Sequence, residues 1–267
     1  MAIYDVVNGV YRKVAKKYDI VDGVYRNVKK AYDPVDGVYR QYFRSDIHAS
    51  DLAVGSEVYL NVDGVQKEFL VVHQGVPDTT SYYNAVGTWL MLKGYFINKY
   101  DDDDATYSNS YIHSYLNDTY FGRLEAHVQA AIKQVKIPHT VGTDVTGYSE
   151  AVLKKGSDGL STKIFLPSVS EVRGQLEDRP DDTLPEGSTL DYFYRSSDYA
   201  AERRNVGVEW WTRTKETDYN DWVSVIGRTG FFTRDWVADA HTKGIRPTFV
   251  IHSDTLIDQS TGINIIA

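Results

Sequence analysis

The residues able to do chemistry fall in a few short runs. Asp218 and Asp221 are a pair of loop carboxylates of the type glycoside hydrolysis requires. Asp101 to Asp104 form an unbroken run of four aspartates, and seven histidines (His48, His73, His113, His127, His139, His241, His252) are scattered along the chain. None of these makes a catalytic pattern. His-Glu-x-x-His and Gly-x-Ser-x-Gly are both absent, as is any phosphate-cradling glycine loop. Gly156-Ser157-Asp158-Gly159 reads as a turn, and the histidines lack metal-ligand spacing. Aligned to a calcium loop from Asp101, position six is Thr106 rather than Gly and position twelve is Ile112 rather than Glu. The run therefore reads as a solvated acidic loop. With no cysteines, thiol nucleophiles, cysteine-ligated zinc and disulfides are excluded. The expectation is a non-catalytic chain without cofactor or metal.

Recognition residues are more abundant. Tyr219, Asn220, Asp221, Trp222, Arg234, Asp235 and Trp236 cluster in sequence and flank one proposed hairpin. Aromatics with Asn, Asp and Arg are the composition of interface anchors and of sugar or protein recognition. Tyrosine is over-represented, at 21 of 267 residues. Two readings stay open: these seven form a ligand-binding surface, or Trp222 and Trp236 are core and their polar neighbours loop filler.

The elements that must position this cluster follow from periodicity and turn chemistry. Trp222 to Ile226 alternates as a strand, Gly227 to Gly230 turns, and Phe231 to Val237 returns. Trp210-Trp211-Thr212-Arg213-Thr214 on one side and a closing strand Gly244 to Ile251 on the other read as buried framework. Upstream, Arg44 to Asp51 reads as a linker. Gly55 to Val72 is a hairpin about Asp63-Gly64, with Val58, Leu60 and Val62 facing a core. Gly87 to Lys93 and Lys163 to Pro167 are buried strands. Helices are expected at Tyr111 to Asn117, capped by Ser or Asn, and at Arg123 to Gln134, where Leu124, Val128 and Ile132 make one stripe. Ser168 and Glu171 form a capping box. Thr140 to Gly159 reads as a long loop, Tyr192 to Arg204 as weak helical turns, and Ile263 to Ile266 as a last strand. The expected class is α+β, with short antiparallel strands and two main helices.

Residues 1–44 differ. They carry a 14-residue repeat, Asp5 to Arg12, Asp19 to Arg26 and Asp33 to Arg40, each with Asn-Gly or Asp-Gly between β-formers. A meander of short strands is expected, too small to be stable alone. It serves either as an assembly module, through other subunits or copies of this chain, or as a β-extension of the main domain at 45–267. Charge divides at the same place: nine Lys/Arg against five Asp give +4 in 1–44, and twenty basic against thirty-two acidic residues give −12 beyond it. An acidic main body argues against a nucleic-acid partner. Met1 to Asp5 has neither the basic nor the apolar part of a signal peptide, and no apolar run is long enough to insert in a membrane.

Several segments together resemble a known family. They are Gly55 to Val58, Phe69 to Gly75, Tyr107 to Ser110, Ser114 to Asn117, Lys163 to Leu166, Trp210 to Thr214 and Gly244 to Pro247. They look like a C-type-lectin-like domain family of uncharacterised function, found in phage tail and prophage structural proteins. The family's opening resembles Trp-Trp-Leu-Arg-Ser and its closing Gly-Val-Arg-Pro-Ala. Here Thr212, Thr214 and Thr248 replace Leu, Ser and Ala. The likeness spans about residues 52–258. The Gly-Val-Tyr-Arg repeats resemble those of phage minor tail proteins.

Related domains are variable ligand-binding proteins of diversity-generating retroelements, which places Lys215 to His241 on a display face. The resemblance implies a virion protein, made in the bacterial cytoplasm, that attaches to a host-cell surface protein or glycan. Closed symmetry and the exposed edges of the repeats favour a homo-oligomer, and a trimer would match tail-tip architecture. The alternatives are a minor tail protein without ligand and a carbohydrate-active enzyme. Formylglycine-generating oxidases share the broader fold but use cysteines, which this chain lacks. Asn220-Asp221-Trp222 has the letters of the calcium-lectin triplet in the wrong order.

Overall fold

The structure is a computed structural model. It describes residues 47–101, 105–175, 178–237 and 242–267 in full, and the backbone pairing of six strands between residues 4 and 44. Each N-terminal repeat pairs as a hairpin: β1 (Tyr4–Val7) with β2 (Val10–Lys13), β3 (Lys17–Val21) with β4 (Val24–Val28), and β5 (Lys30–Val35) with β6 (Val38–Arg44). The registers close on Val7–Val10, Val21–Val24 and Val35–Val38, so each connection has the two-residue length that Asn-Gly and Asp-Gly favour. The turn residues themselves lie outside the described residues. The hairpins are three separate two-stranded sheets rather than one meander.

The expected linker at Arg44 to Asp51 is in part structured. β7 (Ile47–His48) and a 3-10 turn at Ala49–Asp51 are tied to the C-terminal segment, Ala49 N–H donating to the Thr255 carbonyl at 2.8 Å. Ala49 is buried, and an apolar side chain with that much burial joins the fold rather than tethering it. Next come β8 (Glu57–Val62) and β9 (Val65–Gly75), joined at Asp63-Gly64 with φ of 51° and 73°, the left-handed pair that such a turn needs. β10 (Gly87–Leu92) is buried at every position, and β11 (Phe96–Lys99) follows it.

α1 (Tyr111–Tyr115) is capped by the Ser110 hydroxyl, which accepts from His113 N–H at 3.2 Å, and runs into a π-helical turn at Leu116–Tyr120. α2 covers only Ala126–Ala131, shorter than the expected helix. Ile132 instead bridges to Ile251, and β12 (Val135–Ile137) pairs elsewhere, so tertiary pairing overrides the helical stripe. Leu124, Val128 and Ile132 are nonetheless buried, as the stripe required.

The expected loop at Thr140 to Gly159 contains structure. β13 (His139–Val141) pairs with β14 (Val152–Lys154), and β15 (Leu160–Thr162) pairs with β12. β16 (Ile164–Phe165) leads to α3 (Val169–Val172), whose Ser168–Glu171 capping box is formed in both directions. α4 is Ser197–Arg204.

The chain ends with β17 (Trp210–Lys215), β18 (Trp222–Ile226), β19 (Phe232–Trp236), β20 (Thr242–Ile245), β21 (Thr248–Ile251), β22 (Leu256–Asp258) and β23 (Ile265–Ile266). The single closing strand expected at Gly244 to Ile251 is therefore two strands in two sheets. The break falls at Arg246-Pro247, where proline has no N–H for a ladder.

Two sheets organise the domain: an eight-stranded one in the order β16-β21-β10-β9-β8-β23-β22-β7, and a five-stranded one in the order β11-β20-β17-β18-β19. The class is α+β, dominated by sheet, and among the described residues its α-helices are four short ones rather than two main ones. Trp89, Phe165, Trp210, Trp211 and Phe249 are fully buried in one apolar core. No helix among the described residues is long and apolar enough to cross a membrane.

Candidate functional site

The framework beside the aromatic cluster is unusually polar for a core. β17 is buried from Trp210 to Lys215. Its Arg213 donates to both oxygens of Glu171, Nη1 to Oε2 at 2.7 Å and Nη2 to Oε1 at 2.6 Å. Tyr82 donates its hydroxyl to the same Glu171 at 2.7 Å. Burial works against the Arg213 charge, but the Glu171 carboxylate outweighs it and holds the guanidinium above its ordinary range. Nearby Glu186 accepts from Thr140 N–H at 2.7 Å and from the Thr214 hydroxyl at 2.9 Å. Burial still pushes its carboxyl up to about 7. Sequence reasoning saw Arg213 and Glu171 as parts of two unrelated motifs, and nothing in their spacing signals the pair.

β18 and β19 carry the predicted surface at one edge of the five-stranded sheet. β18 is buried from Val223 to Ile226, whereas β19 has sheet on one side only. Two ties fix the hairpin's open end: Val237 N–H donates to the Asp221 carbonyl at 2.9 Å, and Ala105 N–H to the Asn220 carbonyl at 3.0 Å. At the closed end Gly230, with φ of +86°, lies against α4. A Cβ there would stand 1.9 Å from the Ala201 carbonyl oxygen, so only glycine fits. Arg204 of α4 donates from Nε to the Gly230 carbonyl at 2.6 Å.

Four of the seven predicted residues come together. Trp222 and Trp236 are direct cross-strand partners, with rings edge-on at 5.7 Å. Tyr219 packs on Trp222 at 5.2 Å. The Arg234 guanidinium lies 5.2 Å from the Tyr219 ring centre and 5.1 Å from that of Trp222, and its Nη1 is 3.4 Å from Asp182 Oδ2. Trp236 is 48% exposed, so the core reading does not hold for it; Trp222 is half-buried, and Tyr219 is 40% exposed.

The remaining three do not join the cluster as side chains. Alternation along β19 sends Asp235 to the other face, where it is 2.6 Å from Lys243 Nζ. Asn220 contributes its backbone carbonyl, which accepts from Lys215 Nζ at 2.6 Å. Asp221 is exposed and likewise acts through its carbonyl. The display face expected from Lys215 to His241 is also narrower, because Lys215, Glu216 and Thr217 are buried; residues 238–241 lie outside the described residues.

Beside Arg234 a shallow cleft of about 340 Å³ is lined by Asp181, Asp182, Glu216 and Phe232 among others. Glu216 accepts from the Ser224 hydroxyl at 2.5 Å, and burial raises its carboxyl above the ordinary range. The Pro180 to Asp182 wall was not foreseen, since it arrives from a loop distant in sequence. Among the described residues no group of three or more His, Asp or Glu is placed to hold a metal ion. Asp102 to Asp104 lie outside the described residues.

A family described as "Domain of unknown function (DUF6273)" matches residues 86–253, which run from β10 through the aromatic hairpin to just beyond β21. The chain belongs to that family. The DUF6273 region thus includes both framework strands and the whole of the displayed hairpin, and it leaves out the N-terminal repeats. No curated protein and no solved structure matches the chain.

Proposed function

We propose that this chain is a non-catalytic recognition protein that displays Tyr219, Trp222, Arg234 and Trp236 from a C-type-lectin-like scaffold. The observation that carries this reading is a contrast in burial. Trp210, Trp211 and Ile245 to Ile251 are wholly inside, while two aromatics and an arginine between them face solvent on one hairpin. Exposed Trp, Tyr and Arg in one patch are the composition of binding hot spots. The resemblance to phage tail proteins supplies the setting: a virion component that attaches to a host-cell surface protein or glycan, with residues 1–44 joining it to other tail subunits or to its own copies in a trimer. A pull-down on cells of the host bacterium tests this, and loss of binding in Trp236→Ala with the fold intact is the expected result.

A second reading has its own support. β19 is a sheet edge, and an edge strand offers backbone groups to a strand from another chain. On that reading the hairpin docks on a neighbouring tail subunit, and the pull-down on cells recovers nothing from wild type.

A further inference from the structure

The other edge of the same five-stranded sheet borders a larger cavity. A cleft of about 600 Å³ opens between the β8–β9 turn, the segment from Leu92 to Ile97 and the end of the π-helical turn. Phe96 stacks on Tyr120 at 5.3 Å with only 12° between the rings, and Tyr115 lies 6.0 Å from Phe96. Tyr95 stands at the rim, 41% exposed. The polar lining is Asp63, Gln66, Lys67, Glu68 and Arg123.

The walls are already tied together. Asp63 N–H donates to the Arg123 carbonyl at 3.0 Å, and its carboxylate lies 3.3 Å from Arg123 Nε. Val62 bridges to Leu124. On the other side, buried Arg246 donates to the carbonyls of Leu92 at 3.0 Å and Lys93 at 3.1 Å, which fixes the turn that presents Tyr95 and Phe96. A ligand therefore meets a cleft that needs little ordering, and the binding free energy is not spent on closing a loop.

We propose that this cleft binds a short neutral saccharide. Three features favour that class. The volume lies in the range of small-ligand sites, roughly 300–1,000 Å³. The charged residues that line it balance, Asp63 and Glu68 against Lys67 and Arg123, and Arg123 is paired with Asp63 at 3.3 Å, so no net charge in the lining selects a phosphate or an ammonium group. The exposed ring of Tyr95, bordered by carboxylate, guanidinium and amide groups, matches a pyranose ring, whose C–H face is apolar and whose hydroxyls both donate and accept at its edge. The site is separate from the cluster on β18 and β19, from which β20 and β17 divide it within the sheet, and does not depend on that cluster being a recognition surface.

The test is a glycan array of neutral, sialylated and phosphorylated oligosaccharides probed with the full-length protein, followed by calorimetric titration of the best neutral trisaccharide. Tyr95→Ala and Arg123→Ala are expected to weaken that titration by about tenfold or more while thermal midpoints hold, and Trp236→Ala to change it by less than about twofold. An empty array, binding confined to charged glycans, or affinity unchanged in Tyr95→Ala overturns the proposal. Affinity lost in Trp236→Ala but kept in the cleft variants also overturns it, and assigns the sugar to β19 instead.

Discussion

Arg213 on β17 and Glu171 on α3 form a two-pronged ion pair with no exposed surface on either side chain. The pair is 42 residues apart in sequence and links the strand that opens the framework to the helix behind it. Removing Arg213 leaves the buried Glu171 carboxylate without its countercharge, held only by hydrogen bonds from Tyr82 and Ser168 N–H. Arg213→Met is expected to lower unfolding free energy by about 3–5 kcal/mol. Urea denaturation of the variant against wild type measures this, and a loss below about 1 kcal/mol would contradict it.

Glu186 gives the fold a pH signature. Its folded carboxyl titrates near 7 because burial disfavours the charge, whereas in the unfolded chain it titrates near 4.5. The folded state therefore holds an extra proton between those values. The stabilising contribution is fully present below the unfolded value and is lost as pH rises toward 7 and beyond. Glu186→Gln removes the titration. The stability difference between variant and wild type is expected to change by on the order of 2 kcal/mol between pH 5 and pH 8, with wild type losing ground as pH rises. Denaturation at both pH values reads it, and parallel profiles would refute the assignment.

Gly230 sets where the displayed hairpin lies. Alanine there meets strain at φ of +86° and a backbone oxygen at 1.9 Å that belongs to α4. A cost of about 2–4 kcal/mol is expected. Because the clash lies at the hairpin's closed end, amide exchange in β18 and β19 should rise before exchange in β9 and β10. Uniform protection across the two sheets would show that the hairpin is not anchored there.

Assembly through the repeats is tested by size. Light scattering at micromolar concentration should give an oligomer for the whole chain and a smaller species once residues 1–44 are removed. A monomer in both cases ends the assembly proposal.

Much of this domain was legible because it rests on local chemistry. Asp63-Gly64 fixed one hairpin, the alternation of Trp222 to Ile226 found β18, and Ser168 with Glu171 marked α3. The misreadings share a cause, which is partners remote in sequence. Gly244 to Ile251 reads as one apolar strand, yet Pro247 interrupts it and its halves join different sheets. Thr140 to Gly159 reads as loop, yet β13 finds β14 across it. Within the site, sequence proximity gathered seven residues. Strand alternation then sent Asp235 to the opposite face, and Asn220 and Asp221 are used through their carbonyls. The buried pairing of Arg213 with Glu171 leaves no trace in either motif, since a capping glutamate and a framework arginine look the same without it.

The central claim is that the exposed cluster on β18 and β19 recognises something outside the chain. Arg234→Ala and Trp236→Ala, assayed together for host-cell binding and thermal midpoint, test it most directly. Both side chains face solvent, so stability should change by less than about 1 kcal/mol, while binding falls by about tenfold or more. Binding that persists in both variants, or midpoints that collapse with it, would contradict the account.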